Sequence, residues 1–230
     1  MSLDVLSGEN LAQFYELKAA GVLRPIEEDI LLKHQQVYIV FCGDGKHSLD
    51  LTRYHAMRCG IHHENDDNLF HKCALNGGAL CVSSHSPLAN LEGLPQDRVL
   101  LMNLEYALML KGNDGQIAMY SHAPCGAATL AGHSLLDIVD HGLRAKLRVR
   151  TIFRSDIFHG TVGSYLHVCK MVDGEIKRNT YFASKAKWEE WLHESKNQMR
   201  YEAWETHKAE IKQNPGWVPR RLLEKLGLAQ

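Results

Sequence analysis

The sequence predicts an α/β fold: a mostly parallel β-sheet flanked by helices, with a C-terminal antiparallel edge strand or hairpin and helical N- and C-terminal extensions. Three observations carry this. Residues 36–42 (Gln-Val-Tyr-Ile-Val-Phe-Cys) form a short apolar run rich in β-branched and aromatic residues that ends in Gly43-Asp44-Gly45, the pattern of a buried strand entering a tight loop. Comparable runs recur at 79–83 and 116–121, with a helical pattern at 99–111 between them, so strands alternate with helices and imply right-handed crossovers. Asp173-Gly174, between β-prone runs at 164–171 and 175–182, is a hairpin signal.

Taken in order, residues 9–34 read as helical, with Leu11, Phe14 and Leu17 three apart, although Lys18 interrupts the second apolar row. Gly21 breaks the pattern, and Pro25 opens a second helix through Leu32. This arm precedes the first strand and is expected to pack on a partner subunit. The helix at 99–111 carries Leu100, Leu101, Leu104, Ala107, Leu108 and Leu110, and Gly112 closes it. A further helix is expected over 127–141. Residues 184–213 read as helix of mixed charge with Trp188, Trp191 and Trp204, broken by Pro215 and Pro219 before a short terminal helix. The whole is one α/β domain: an N-terminal helical arm (1–34), a core (35–183) and a C-terminal helical extension (184–230).

Composition narrows the function classes. With 45% hydrophobic and 23% charged residues the chain is globular, so intrinsic disorder is excluded as its dominant state. Basic and acidic residues number 26 and 27, so no net field draws the chain to nucleic acid or acidic lipid. No apolar run approaches a membrane span, and residues 1–10 lack the basic and apolar regions of a secretory signal, so a cytoplasmic location is expected. Six cysteines in a chain of 230 residues are not needed as staples. They read as metal ligands, catalytic groups or buried apolar residues, and the 14 histidines point the same way.

In open α/β sheets the ligand site lies at the carboxyl ends of the strands. The first strand ends in Cys42-Gly43-Asp44-Gly45-Lys46, and the strand at 116–121 ends in His122-Ala123-Pro124-Cys125-Gly126. If the two strands are neighbours, Cys42, His122 and Cys125 converge. Two thiolates and an imidazole suit zinc, and three protein ligands leave the fourth position of a catalytic site open. Asp44 can reach that position or a water within it.

These motifs resemble the β-class carbonic anhydrases, whose signature is Cys-x-Asp-x-Arg after the first strand and His-x-x-Cys-Gly after a later one. Asn103-Leu104-Glu105-Tyr106-Ala107 is similar to the family's Ser-Leu-Glu-Tyr-Ala helix. Gly78-Ala79-Leu80-Cys81-Val82 is similar to its second strand, and residues 164–178 to its closing strand and turn. The resemblance covers roughly residues 30–180. It implies zinc on Cys42, His122 and Cys125 with Asp44 as gate, reversible hydration of carbon dioxide to bicarbonate, and a homodimer or higher homo-oligomer with N-terminal helices laid across the partner. An apolar wall involving Val82 and the neighbouring subunit would hold the substrate. Two other readings use the same metal shell: a zinc-binding protein without hydratase activity, and a hydrolase of carbonyl sulfide or carbon disulfide.

Two departures matter. The family's arginine, which holds the aspartate off the metal by a bidentate pair, is Lys46 here, and a lysine cannot form that fork. Cys42 and His122 are also 80 residues apart (122 − 42), more than is usual in the family, with the surplus in 51–77. His85-Ser86-Pro87-Leu88-Ala89-Asn90 stands where the family often has Arg-Asn-x-x-Asn, so the pocket wall is altered. The 51–77 stretch holds His55, Cys59, His62, His63, Glu64, His71 and Cys73. Cys59-x-x-His62 with His71-x-Cys73 matches no zinc-finger spacing, so a polar loop is the expected reading. Cys81 and Cys169 read as small core residues and the tryptophans as packing.

Overall fold

The computed structural model describes residues 5–26, 36–58, 70–91, 93–154, 157–195, 197–225 and 227. In chain order the elements are α1 (Gly8–Ala19), β1 (Leu23–Pro25), β2 (Val37–Cys42), α2 (Gly45–Arg58), β3 (Phe70–Leu75), β4 (Asn90–Leu91), β5 (Leu94–Pro95), α3 (Gln96–Lys111), β6 (Gln116–Ala123), α4 (Gly126–Leu130), α5 (Leu135–Ile152), β7 (Thr161–Val172), β8 (Glu175–Ala183), α6 (Lys185–Glu194), α7 (Gln198–Gln213) and α8 (Arg220–Lys225). Two 3-10 turns, Gly78–Val82 and Pro87–Ala89, follow β3.

The main sheet has the order β1-β8-β7-β6-β2-β3. Strands β3, β2, β6 and β7 are parallel, while β8 and β1 close one side antiparallel. This is the α/β architecture expected. From β2 the chain goes outward to β3 on one side and then to β6 on the other, so the winding direction reverses between β2 and β6. A crevice opens at the carboxyl ends of strands at such a reversal. Cys42 ends β2, and His122 lies in the last turn of chain of β6.

Helices cover both faces. One face of the sheet contributes Val37, Ile39, Phe41, Ala118, Tyr120 and Tyr165, packed with Leu51 of α2. The other contributes Tyr38, Val40, Ile117, Met119, Leu166 and Val168 to a larger core shared with α1, α3 and α5. Helix α2 turns a stripe of His47, Leu51 and His55 inward, each separated by four residues and each buried. His55 spends both ring nitrogens there: Tyr120 Oη donates to Nδ1 at 2.7 Å, and Nε2 donates to Gln116 Oε1 at 3.0 Å.

Several expectations need correction. Pro25 does not open a helix; it ends β1, which pairs with β8, and residues 27–32 lie outside the described residues. The apolar run at 79–83 is not a strand but most of a 3-10 turn, wedged between the sheet, α3 and α5. A short apolar run buried on all sides has no period that separates strand from turn. The second parallel strand is β3, hidden because Phe-His-Lys-Cys-Ala-Leu is an edge strand with one fully buried side chain, Cys73. The stretch at 51–77 is therefore no polar loop where it is described: it completes α2 and supplies β3. The helix expected at 127–141 is two helices. Gly132, in a left-handed conformation, ends the first, and Ser134 with Asp137 restarts the second through a reciprocal capping box. The long helix at 184–213 is likewise broken, between Glu194 and Gln198.

Helix α1 does not need a partner subunit to cover its apolar face. Phe14 and Leu17 are fully buried in its own chain, and Asn10 Oδ1 accepts the Leu135 amide at 2.8 Å, capping α5. A second long-range tie runs through Arg148 of α5, itself buried. Its guanidinium donates to the Val82 carbonyl at 2.8 Å and the Pro215 carbonyl at 2.7 Å, and pairs with Asp97 of α3 at 2.9 Å.

Candidate metal centre

The pairing of β2 with β6 brings the two sequence motifs together. The donor atoms of Cys42, His122 and Cys125 lie within 4.8 Å of one another, and all three residues are buried. A tetrahedral zinc with Zn–S near 2.3 Å separates two sulfurs by roughly 3.8 Å, so the cluster needs little contraction to hold an ion.

Local structure fixes each donor. Gly77 donates its amide to Cys42 Sγ at 3.2 Å. Its neighbour Gly78 lets the 3-10 turn press onto the ends of β2 and β6: a Cβ there would lie 2.5 Å from the Cys42 amide nitrogen and 2.9 Å from the Tyr120 carbonyl oxygen. Cys125 is held at the start of α4, where its carbonyl accepts the Thr129 amide at 2.9 Å and the Thr129 hydroxyl at 2.9 Å. His122 Nδ1 donates to the Pro124 carbonyl at 2.8 Å. That bond fixes the tautomer and leaves Nε2 as the lone-pair nitrogen, which is buried and has no hydrogen-bond partner among the described residues. Such an orphan is costly unless something electrophilic meets it. A ligating histidine has this arrangement, with one ring nitrogen anchored to a carbonyl and the other aimed at the metal.

The two thiols are not equivalent. A hydrogen bond from Cys125 pulls the Cys42 thiol far below the ordinary thiol range, and His122 and the Gly77 amide add to this against the opposing effect of burial. Cys125 is pushed up, first by its bond to Cys42 and then by burial. The pair thus shares one proton, and a cation between the sulfurs takes that proton's place. Two other thiols differ: burial raises Cys73 and Cys81 to about 12, the behaviour of core residues.

Above the triad a cavity of about 600 Å³ opens, lined by Cys42, Asp44, Asn76, Pro87, Leu88, Leu91 and the α4 residues Ala127 and Leu130. Asp44 is the one carboxylate among its described lining residues. Its carbonyl accepts the first amides of α2, from His47 and Ser48, which sets the carboxylate at the helix entrance. The carboxylate lies within 4.8 Å of donor atoms of both His47 and His122.

No protein-family model, curated protein or solved structure matches this chain.

The site's chemistry therefore follows from its own donors. Cys42, His122 and Cys125 form a buried set that can hold a metal ion, with Asp44 beside it. Lys46 stands in the first turn of α2, and its side chain lies outside the described residues. Val82, expected in the pocket wall, is instead buried in the core, and Leu88 and Leu91 line the cavity. Of the candidate donors at 51–77, Cys59, His62, His63 and Glu64 lie outside the described residues. His55 is committed to Tyr120 and Gln116, while His71 bonds Asn103 at 3.2 Å, so neither joins a metal-competent group among the described residues. Sequence reasoning missed His47, whose ring lies 4.5 Å from that of His122. The four-residue spacing of His47, Leu51 and His55 was the available signal.

Proposed function

We propose that the chain is a zinc lyase of β-class carbonic anhydrase type, which hydrates carbon dioxide reversibly to bicarbonate. The observation that carries this reading is the convergence of Cys42, His122 and Cys125 where the sheet's winding reverses, with an unpartnered imidazole nitrogen aimed into the set and an apolar cavity above it. Two sulfurs and one nitrogen favour zinc over magnesium or calcium, which prefer oxygen. When bound, zinc lowers the pKa of water from 15.7 toward about 7 and so supplies a nucleophile at neutral pH.

The chain's own residues do the rest. Asp44, which lines the cavity, would accept a hydrogen bond from that nucleophile and orient it. Leu88, Leu91, Ala127 and Leu130 exclude water and hold a neutral linear molecule, which needs no charged anchor. Lys46 is the cation nearest Asp44 in sequence, and it offers a single movable ammonium in place of a fork.

We further propose that the chain works as a homodimer, and α3 supports this more than α1 does. Val99, Met102, Tyr106 and Met109 repeat at helical spacing and are 41–49% exposed, while the opposite side of the same helix is core. An apolar stripe on both sides of a helix marks a surface that meets another molecule.

Two measurements test the proposal. Metal analysis should find zinc in the purified chain and a loss of one equivalent in a Cys42→Ser/Cys125→Ser variant; undiminished zinc overturns the site. Stopped-flow hydration of carbon dioxide by metal-replete protein, with carbonyl sulfide and carbon disulfide as competing substrates, tests the reaction.

A further inference from the structure

A second group of soft donors lies beside the first. His167 and Cys169 are two apart on β7 and so share a face of the sheet, and His47 of α2 lies over them. Their donor atoms lie within 4.8 Å of one another, and all three side chains are buried, to 5%, 3% and 1% exposure for His47, His167 and Cys169. Strand register makes His167 the direct partner of His122 on β6, so this group abuts the first.

From this geometry we propose that His47, His167 and Cys169 hold a second zinc-class divalent ion, adjacent to the Cys42–His122–Cys125 centre. The distances fit. His47 Nδ1 and Cys169 Sγ are 3.6 Å apart, the separation of about 3.6 Å that a nitrogen and a sulfur take on a tetrahedral zinc. His167 is prepared as His122 is. Its Nδ1 is taken by Thr180 Oγ1 at 3.0 Å, and its Nε2 is buried with no hydrogen-bond partner among the described residues. A histidine 97% buried with one nitrogen anchored and the other orphaned is a ligand arrangement.

Protonation agrees with the geometry. Burial, with His47 and His122 nearby, pushes the His167 imidazole down to about 4, and burial lowers His47 as well, the direction that favours a neutral ring. The Arg178 guanidinium bonds the Cys169 sulfur. Charge also balances. Two divalent ions bring four positive charges, matched by the thiolates of Cys42, Cys125 and Cys169 and the carboxylate of Asp44, which lies within reach of His47 and His122. A buried ion pair of this kind needs such compensation. The second site also has its own opening. His167 lines a separate cavity of about 390 Å³ with Asp50, Tyr54, Arg178 and Thr180, away from the apolar one.

Zinc stoichiometry on the full chain tests this, measured by elemental analysis after dialysis against zinc and then against buffer. Two equivalents are expected for wild type, one for His167→Gln/Cys169→Ser and one for Cys42→Ser/Cys125→Ser. One equivalent in wild type, lost in Cys42→Ser/Cys125→Ser and kept in His167→Gln/Cys169→Ser, overturns this proposal and leaves the first centre standing. One equivalent with the opposite pattern supports the second site and removes the first. Cadmium NMR of the wild-type chain keeps the test independent of whether the variants fold. Two resonances are expected, because a two-sulfur, one-nitrogen site and a one-sulfur, two-nitrogen site shield cadmium differently; a single resonance at the shift of the two-sulfur, one-nitrogen site refutes the second site.

Discussion

Replacing Gly78 with alanine is the sharpest test of how the loop that carries Cys42 is held. The added Cβ would lie 2.5 Å from the Cys42 amide nitrogen, 2.7 Å from the Phe41 carbonyl carbon and 2.9 Å from the Tyr120 carbonyl oxygen. All three are backbone atoms and cannot swing away. The residue also has φ +55°, which costs a non-glycine residue roughly 1–2 kcal/mol. Forcing a methyl into a packed site adds about 1–3 kcal/mol. The total, of order 2–5 kcal/mol, corresponds to a fall in Tm of roughly 4–20 °C for a chain of this size. Gly132→Ala is the control. Gly132 has φ +72° with nothing within 4 Å of the added Cβ, so it should lose the conformational part alone, roughly 1–2 kcal/mol. Thermal melts of both variants at matched metal content measure the difference. Gly78→Ala should melt below Gly132→Ala and also bind zinc more weakly, because the clash displaces the Cys42 amide. Equal melting temperatures with equal zinc affinity would refute the argument from close approach.

Lys46→Arg should raise carbon dioxide hydration near pH 7 by giving Asp44 a bidentate partner; an unchanged stopped-flow rate argues against any role for Lys46 there. Burial pushes the His55 imidazole from 6.5 down to about 4, so the folded ring stays neutral where the unfolded ring binds a proton. Its contribution to stability is full above pH 6.5 and declines as pH falls to 4, by about 3 kcal/mol. Denaturant melts of His55→Gln across that range should show a shallower acid limb than wild type, and parallel limbs would contradict this. Met102→Glu/Met109→Glu should convert a dimer to a monomer in light scattering, with the far-ultraviolet circular dichroism unchanged; a dimer that survives both charges places the interface elsewhere.

Much of the fold could be read from the sequence where burial was one-sided or total over a full element. Residues 36–42 and 116–121 declared β2 and β6, Asp173-Gly174 declared the β7–β8 hairpin, and the leucines at 99–111 declared α3. The candidate metal group Cys42, His122 and Cys125 was legible because its residues sit at the ends of those same strands. What escaped had a physical reason. Strand β3 is an edge, so His71 and Lys72 interrupt its apolar run and only Cys73 is fully buried. The 3-10 turn at Gly78–Val82 is buried on every side, so its apolar run carried no period. Helix α2 points histidines into the core, and histidines 47 and 55 do not register as apolar in a periodicity count. The second donor group was invisible for a different reason. His47 is more than a hundred residues from Cys169, and strand register alone brings His167 beside His122.

Arg148 changes how the chain's modularity should be understood. Residues 184–230 look like an appendage to a complete sheet, yet the carbonyl of Pro215 is an acceptor for a buried guanidinium that also holds Val82, next to the turn that braces Cys42. A fusion or deletion boundary drawn just after β8 would strand that guanidinium and slacken the turn behind Cys42. The segment beyond the sheet is thus a structural partner of the loop that carries Cys42, and the two are expected to tolerate exchange between proteins only together.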